Sequence, residues 1–465
     1  MFEAVCTRQV REWPAVIGSS GALTWQALVS HVTRAAGKLE SLGIKRLGIC
    51  LSSDWQHLAL LLACFRENVT ACLISPQLPP EGVRNAMQQV DIDSIATRRT
   101  DLDVQTLDPD AFFSGPKSTA ATMTDTSAWA TIIYTTGSEG TPKAAVHRLE
   151  NHLSSARVVA KRLGLAPGDR WLLCLPLHHV SGLSVLFRCL AAGATIVLPS
   201  PDASLVQSLY LNEVTHVSAV AHQLLQIGES TQTIRAPQCL KTMVIGGGLV
   251  PLGLLKKMTD AGWPVCTTYG LTEMSSMVTL SQPGSHLETA GQLLPGYNLK
   301  IARDNEILVR GPALFAGYLE DGLLRQPFDT AGWLRTGDIG ELDNNQRLLV
   351  KGRKDNVFVS GGENISPEEI ERHLSALPKV IEAIVVAVPH WEFGARPVAF
   401  VRGAVDHSDI ERQLRASLPG FKIPQFRPWP QNVRARGLKP NRRYFTKLAV
   451  DPEQDAHHEA HPRAL

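Results

Sequence analysis

Thr135-Thr136-Gly137-Ser138-Glu139-Gly140-Thr141-Pro142-Lys143 follows directly on an apolar run, Ala128 to Tyr134. The run predicts a short buried strand. The nine residues after it hold two glycines, four hydroxyl side chains and one lysine. Glycine lets the backbone turn tightly and present N–H groups. Hydroxyls and an ammonium add further donors, and together these make a phosphate cradle. The spacing is not Gly-x-x-x-x-Gly-Lys-Ser/Thr, the phosphate loop of another class. A Gly/Ser surface turn has the same composition. What decides is whether the rest of the chain supplies the other parts of a nucleotide site.

The totals narrow the field. A chain of 465 residues is too long for one core of usual size, so two or more domains are expected. With 44% hydrophobic and 19% charged residues the composition is that of an ordinary globular protein. A net charge of +2 and the lack of a basic run argue against a nucleic-acid partner. The start, Met1-Phe2-Glu3-Ala4, lacks a basic segment followed by an apolar one, so no signal peptide is expected. No apolar stretch approaches the roughly 18 residues of a membrane span. The eight cysteines contain no Cys-x-x-Cys pair, and most lie in apolar runs. They read as buried reduced thiols of a cytoplasmic protein. The fifteen histidines show no His-Glu-x-x-His spacing. Three of them, His457, His458 and His461, fall in a polar tail, residues 451–465, that reads as disordered.

Along the chain, short apolar runs alternate with helical periods. Thr24 reads as an N-cap; Trp25, Leu28, Val29, Val32, Ala36, Leu39 and Leu42 then recur at helical spacing until Gly43. Strands are expected near 47–51, 70–75 and 92–97, with helices over 55–66 and 82–89. The polar segment 101–127 reads as a long surface connection. Strands follow near 171–175, 194–198, 216–220, 242–245 and 265–269, with helices over 184–190 and 251–261. This alternation predicts an α/β fold of parallel sheets covered by helices. From about Gly291 the pattern changes to short strands with Gly/Pro turns, a β-rich subdomain reaching Arg353. A new αβ pattern begins after it, with a helix from Pro367 and a strand over 380–388. The expected division is a large N-terminal domain, 1–353, and a small α+β C-terminal domain, 354–450.

Five further segments answer the question raised by the glycine loop. Leu175-Pro176-Leu177-His178-His179-Val180-Ser181-Gly182 follows a strand. Gly246-Gly247-Gly248 lies at a strand's C-terminal end, where ligands bind in open parallel sheets. Thr268-Tyr269-Gly270-Leu271-Thr272-Glu273 offers a ring, a hydroxyl and a carboxylate past another strand end. Gly332 to Asp338 ends in Thr336-Gly337-Asp338. Arg353, Asp355 and Ser360-Gly361-Gly362-Glu363-Asn364 complete the set. In order and spacing these segments resemble the adenylate-forming superfamily of acyl-CoA synthetases, luciferases and adenylation domains, from about Ala128 to Arg442.

That resemblance implies a large domain joined by a hinge to a small, mobile one, and ATP, Mg²⁺ and CoA as ligands. It implies that Thr135, Thr136, Gly137, Ser138, Gly140, Thr141 and Lys143 hold the ATP phosphates. Gly246, Gly247 and Gly248 would let adenine approach the backbone, with Tyr269 and Gly270 beside it. Thr272 would touch the α-phosphate, and Glu273 would be the Mg²⁺ carboxylate, which suits the ion's preference for oxygen. Asp338 would accept from the ribose hydroxyls, with Arg353 nearby. Asp355 would be the hinge, and Lys439 would bridge carboxylate and phosphate. Tyr269 fits a core position as well, Asp338 a turn former, and Lys439 a solvated surface lysine. Glu139 and Ala221-His222 depart from the family pattern, where Ser or Thr and Pro-Thr are usual.

Within the superfamily the chain resembles most the o-succinylbenzoate–CoA ligases of bacterial menaquinone synthesis. The likeness rests on Pro142 to His147, Leu175 to Gly182, Phe358 to Glu363 and Glu392 to Ala399. A substrate with two carboxylates needs one held while the other reacts. Arg188, inside the apolar Leu183 to Leu190, suits the first task, because a guanidinium grips a carboxylate with two hydrogen bonds. It could equally snorkel to water or pair with a protein acid. His179 resembles the residue beside the reacting carboxylate and fits a packed loop histidine equally well; Ser276, three residues past Glu273, is expected to face the acid too. Other readings stay open at this point: a ligase for another aryl or medium-chain acid, an adenylation module serving a carrier protein, and a nucleotide-binding protein without ligase activity. No carrier motif follows Arg442, and a homo-oligomer is left open.

Overall fold

The computed structural model describes residues 8–92, 94–118, 124–135, 142–230, 235–248, 250–377, 379–430 and 442–450. The helix Trp25–Leu42 forms where its period predicts. Thr24 Oγ1 accepts from the Ala27 N–H at 3.2 Å, Gly43 closes the helix in the left-handed conformation, and Trp25, Leu28, Val32, Ala36 and Leu39 are buried. Trp55–Arg66 is a helix as expected, capped by Asp54.

Two large sheets carry the N-terminal part. The first has eight strands in the order Leu323–Arg325, Gly317–Glu320, Lys143–Arg148, Trp129–Thr135, Thr70–Leu73, Arg46–Cys50, Ser94–Thr97, Gln105–Leu107. The second has nine, and its centre is the parallel set Val265–Leu271, Thr242–Gly246, His216–Val220, Arg170–Leu172, Thr195–Val197. The largest buried cluster draws on both sheets and on the helices Trp25–Leu42, Trp55–Arg66, Leu149–Leu163 and Val180–Ala192. The outer face of the second sheet buries helices Leu205–Leu211, Ala221–Ser230 and Leu252–Asp260, and that of the first buries Pro80–Gln89. The result is alternating helix and sheet layers, the arrangement that the αβ alternation demands.

Several sequence expectations need correction. The segment 101–127 is not only a surface connection. Gln105–Leu107 is an edge strand, and the turn Pro109–Phe112 buries Phe112 in the main core. A three-residue strand is too short to show a period. The β-rich region is divided as well. Asn298–Ile301, Glu306–Arg310, Leu334–Leu342 and Leu348–Arg353 form an antiparallel sheet of their own, but Gly317–Glu320 pairs with Lys143–Arg148 and Gln292–Leu293 joins the nine-stranded sheet. Alternation of side chains reveals a strand but not its neighbour. Leu149–Leu163 is a helix that the sequence analysis does not assign, its apolar stripe diluted by His152, Ser154, Ser155 and Arg157.

Beyond Arg353 the chain builds a short hairpin, Phe358–Ser360 with Glu363–Ile365, and a three-stranded sheet, Val380–His390, Gly394–Gly403 and Gln425–Pro428. Helices Pro367–Ser375 and His407–Arg415 cover one face, and Arg442–Val450 the other. The two buried clusters here contain no residue before Phe358.

Candidate active site

The candidate residues gather at the C-terminal ends of the parallel strands and on the antiparallel sheet beside them. Thr135 and Lys143 are paired across the hairpin that the glycine loop closes. The loop residues Thr136, Gly137, Ser138, Gly140 and Thr141, with Glu139, lie outside the described residues, as do Lys439 and residues 451–465. Lys143 Nζ stands 5.2 Å from the centre of the Tyr318 ring, a cation–π approach.

Tyr318, not among the residues expected from the sequence, touches two that are, Lys143 and Glu273. Its hydroxyl donates to Glu273 Oε1 at 2.5 Å, and the Phe315 N–H donates to the Glu273 carbonyl at 2.8 Å. Burial, reinforced by the Glu273 charge, pushes the Tyr318 phenol above its ordinary range, so it stays a donor. The only signal in the sequence is an aromatic after Gly317, and that does not tell which strand it will face.

Asp338 is clasped from two sides. Tyr269 Oη donates to Oδ2 at 2.7 Å and Arg353 Nη1 to Oδ1 at 3.2 Å. Strand pairing sets this up, since Asp338 and Arg353 are register partners. Tyr269 is only 7% exposed, and burial beside Asp338 raises its phenol pKa. The expected adenine neighbour is therefore also the support of the expected ribose ligand. Arg353 Nη2 reaches Asp355 Oδ2 at 3.0 Å, so one guanidinium joins the expected ribose carboxylate to the expected hinge residue. Lys354 pairs with Asp304 at 3.0 Å and Glu306 at 3.3 Å, tying the same turn to the antiparallel sheet.

The three glycines divide their work. A Cβ on Gly246 would stand 2.7 Å from Thr268 Cγ2, so it is required by packing; Gly247 has a positive φ of 82°, and Gly248 faces open space. Gly270 is fixed by close approach, since a Cβ there would stand 2.3 Å from the Ser276 carbonyl oxygen.

The turn after Glu273 is strained. Ser275 and Ser276 have φ of 53° and 131°, a conformation that non-glycine residues rarely hold and that clusters at functional sites. Ser276 Oγ accepts from Arg188 Nη2 at 2.8 Å. Arg188 is 1% exposed, which removes the snorkelling alternative. Among the described residues no carboxylate pairs with it, and its Nε and Nη1 are buried without any acceptor. The guanidinium lies 5.1 Å from the centre of the Trp171 ring. Burial lowers its pKa to about 10, which leaves it charged at neutral pH.

His178 and His179 stand with ring centres 4.5 Å apart at the entry to helix Val180–Ala192. Burial, with His179 and His57 adding, pushes His178 down to about 3, so its ring is neutral. Gly182 lets this loop close, since a Cβ there would stand 2.2 Å from the Pro176 carbonyl oxygen.

No group of three His, Cys, Asp or Glu among the described residues could hold a metal by itself. One carboxylate, Glu273, already oriented by Tyr318, suits magnesium, which takes one or two protein carboxylates and completes its shell with water and phosphate oxygens. No helix among the described residues is long and apolar enough to cross a membrane.

A layered α/β body whose strand ends bring Lys143, Tyr318 and Glu273 together beside the Tyr269–Asp338–Arg353 cluster has the arrangement expected of an adenylate-forming enzyme. The model of the AMP-binding enzyme family matches residues 2–319, and that of the AMP-binding enzyme C-terminal domain matches 369–429, so the chain belongs to the AMP-binding enzymes. It is 35% identical over 454 residues to the 2-succinylbenzoate–CoA ligase of Salmonella typhimurium, covering 94% of this chain and 95% of that one. It is 31% identical to the ligase of the same name from Bacillus subtilis, over 88% of this chain and 90% of the other. The structure of the Bacillus subtilis o-succinylbenzoate CoA synthetase in complex with the acyl-adenylate intermediate superposes with a TM-score of 0.85 at 30% identity, covering 95% of this chain and 96% of that one.

Proposed function

We propose that this chain is a cytoplasmic 2-succinylbenzoate–CoA ligase of menaquinone biosynthesis. It uses ATP and magnesium to adenylate one carboxylate of the diacid and transfers the acyl group to CoA, giving the thioester, AMP and pyrophosphate. In the first step a carboxylate oxygen attacks the α-phosphorus and pyrophosphate leaves. The site gathers several negative charges, and catalysis is positioning plus charge stabilisation. A magnesium ion beside Glu273 supplies neutralisation of the phosphate oxygens. Thr272 and Lys439 hold the α-phosphate and the attacking carboxylate, and the 135–143 loop with Lys143 holds the outer phosphates. Asp338, oriented by Tyr269 and Arg353, accepts from the ribose hydroxyls. In the second step the CoA thiol gives its proton to solvent, its sulfur bonds to the acyl carbon, and the acyl C–O bond breaks as AMP leaves with the oxygen.

Residues 1–353 and 354–450 are two domains, and Asp355 is the hinge between the two steps. The separation of their buried clusters supports this. A hinge there must break the Arg353–Asp355 and Lys354–Asp304 pairs, on exposed side chains where such pairs stabilise weakly, and the Lys354–Glu306 pair, whose carboxylate is buried.

The observation that carries the choice of substrate is Arg188. A fully buried guanidinium with two unused nitrogens is costly unless an anion completes it. The carboxylate that does not react is that anion, with His179 beside the one that does. The test is one assay with ATP, magnesium, CoA and a panel of acids, reading AMP. 2-Succinylbenzoate is expected to be the best substrate. If acids lacking the second carboxylate turn over equally well, the assignment of Arg188 is wrong.

A further inference from the structure

His147 belongs to none of the groups given a role above, yet its ring touches the turn on which both halves of the site depend. It is 0% exposed, on strand Lys143–Arg148, and its Nε2 lies 2.7 Å from the Thr272 carbonyl oxygen. A carbonyl can only accept, so Nε2 carries the proton and donates. The same oxygen accepts from the Ser275 N–H at 2.9 Å, so both of its lone pairs are engaged.

The turn so held is the strained one. It presents Glu273 on one side and Ser276, the partner of Arg188, on the other, with Ser275 and Ser276 at positive φ. Such a backbone persists only where its surroundings hold it. Two other bonds help, Phe315 N–H to the Glu273 carbonyl and Ser275 Oγ to the Ala313 carbonyl at 2.9 Å, but both come from the neighbouring 313–315 segment. His147 holds the turn from the first large sheet.

The ring is itself fixed by its faces. His147 stacks on His152 at 4.8 Å and 26°, His152 on Phe187 at 4.7 Å and 9°, and Phe187 on Phe65 at 5.3 Å and 25°. His152 Nε2 lies 2.8 Å from Thr131 Oγ1, which pins the second ring. Phe187 directly precedes Arg188. A column of rings therefore runs from the helix that carries the guanidinium to the carbonyl of the residue that reads the α-phosphate.

We propose that His147 is a positioning residue for both subsites: by holding the Thr272 carbonyl it fixes the turn that offers Glu273 to magnesium–ATP and Ser276 to Arg188. This rests on the assignment of that turn to ATP and of Arg188 to the second carboxylate. The variants separate donation from packing. His147→Phe keeps a stacking ring and loses the donor; His147→Gln loses the ring and keeps a donor of similar reach; His147→Asn has a donor too short to arrive.

Formation of AMP by the wild type from ATP, 2-succinylbenzoate and CoA is measured first, and its absence sinks the functional reading itself. With the wild type active, His147→Phe is expected to raise the KM for magnesium–ATP and for the diacid together, each about tenfold, the size of one lost hydrogen bond. The calorimetric Kd for magnesium–ATP should rise with them, and His147→Gln should recover most of the loss while His147→Asn does not. The proposal is overturned if His147→Phe leaves both constants within twofold, if only one of them moves, or if Gln and Asn behave alike. Should the Phe variant not fold, the Gln and Asn pair carries the same decision.

Discussion

Asp338 and Arg188 are both charged and both placed at the site, but their surroundings differ. The carboxylate of Asp338 has two donors, Tyr269 and Arg353, and Glu273 has Tyr318. The guanidinium of Arg188 has one acceptor, Ser276, and two nitrogens with none among the described residues. On the nucleotide side the protein supplies the orientation in advance, and a ligand shares carboxylates whose partners are already in place. On the acid side the protein leaves a buried charge incomplete, so the ligand must complete it. The first arrangement costs the folded chain little. The second destabilises the chain until an anion completes it, and under the proposed function the charge and position of that anion determine specificity.

The sharpest way to break this contrast is Arg188→Met, which removes the incomplete charge and keeps the volume. The KM for 2-succinylbenzoate is expected to rise roughly 100-fold, the loss of a buried bidentate charge pair, with the KM for ATP little changed. The melting temperature should hold or increase, because an isolated buried cation is replaced by an apolar side chain. A marked drop in melting temperature would show that Arg188 is a structural residue.

Asp338→Asn tests the other side. It removes the charge that Arg353 pairs with and leaves Tyr269 an acceptor. The KM for ATP is expected to rise about tenfold with the KM for the diacid unchanged. Equal effects on both would end the division into two sides.

A third measurement is the pH dependence of stability. Burial pushes His57 and His147 to about 4 and His178 to about 3. Between those values and the unfolded value near 6.5 the unfolded chain binds more protons than the folded one. Stability must therefore fall as the pH drops from about 6.5 towards 4, by roughly 3 kcal/mol for each fully buried ring, with little further loss from these rings below about 3. Denaturant unfolding at stepped pH reads this directly, and replacing His57 with Leu should flatten the slope.

The smallest expected effect concerns Glu139. A carboxylate in a phosphate loop repels the phosphates, so Glu139→Thr is expected to lower the KM for ATP about two- to threefold at low magnesium. A rise would mean that Glu139 helps to recruit the cation.

Much of this was legible in the residues. The helix Trp25–Leu42 announced itself by period and cap, and the strand before the glycine loop by its apolar run. Arg188 stood out as a lone charge in an apolar run, although the same run allowed it to reach water. Tyr318 and His147 were not legible. Each acts through a contact across 45 and 125 residues respectively; His147 lies in a stretch that carries the family likeness, but nothing local tells either ring from a packed one. Gly270 was legible as a motif residue, but its reason, the approach of the Ser276 backbone, was not.

The sequence by itself determined the αβ alternation, the class of reaction and the identity of the charged groups, because periodicity, turn chemistry and charge are properties of residues and their spacing. Only the tertiary structure decided that Gly317–Glu320 leaves its neighbours for the eight-stranded sheet, and so brings Tyr318 to Glu273. Only it decided that Arg188 is enclosed with two bare nitrogens while Asp338 is already clasped. Partners in a sheet and partners of a buried charge are set by long-range packing, which no local pattern encodes.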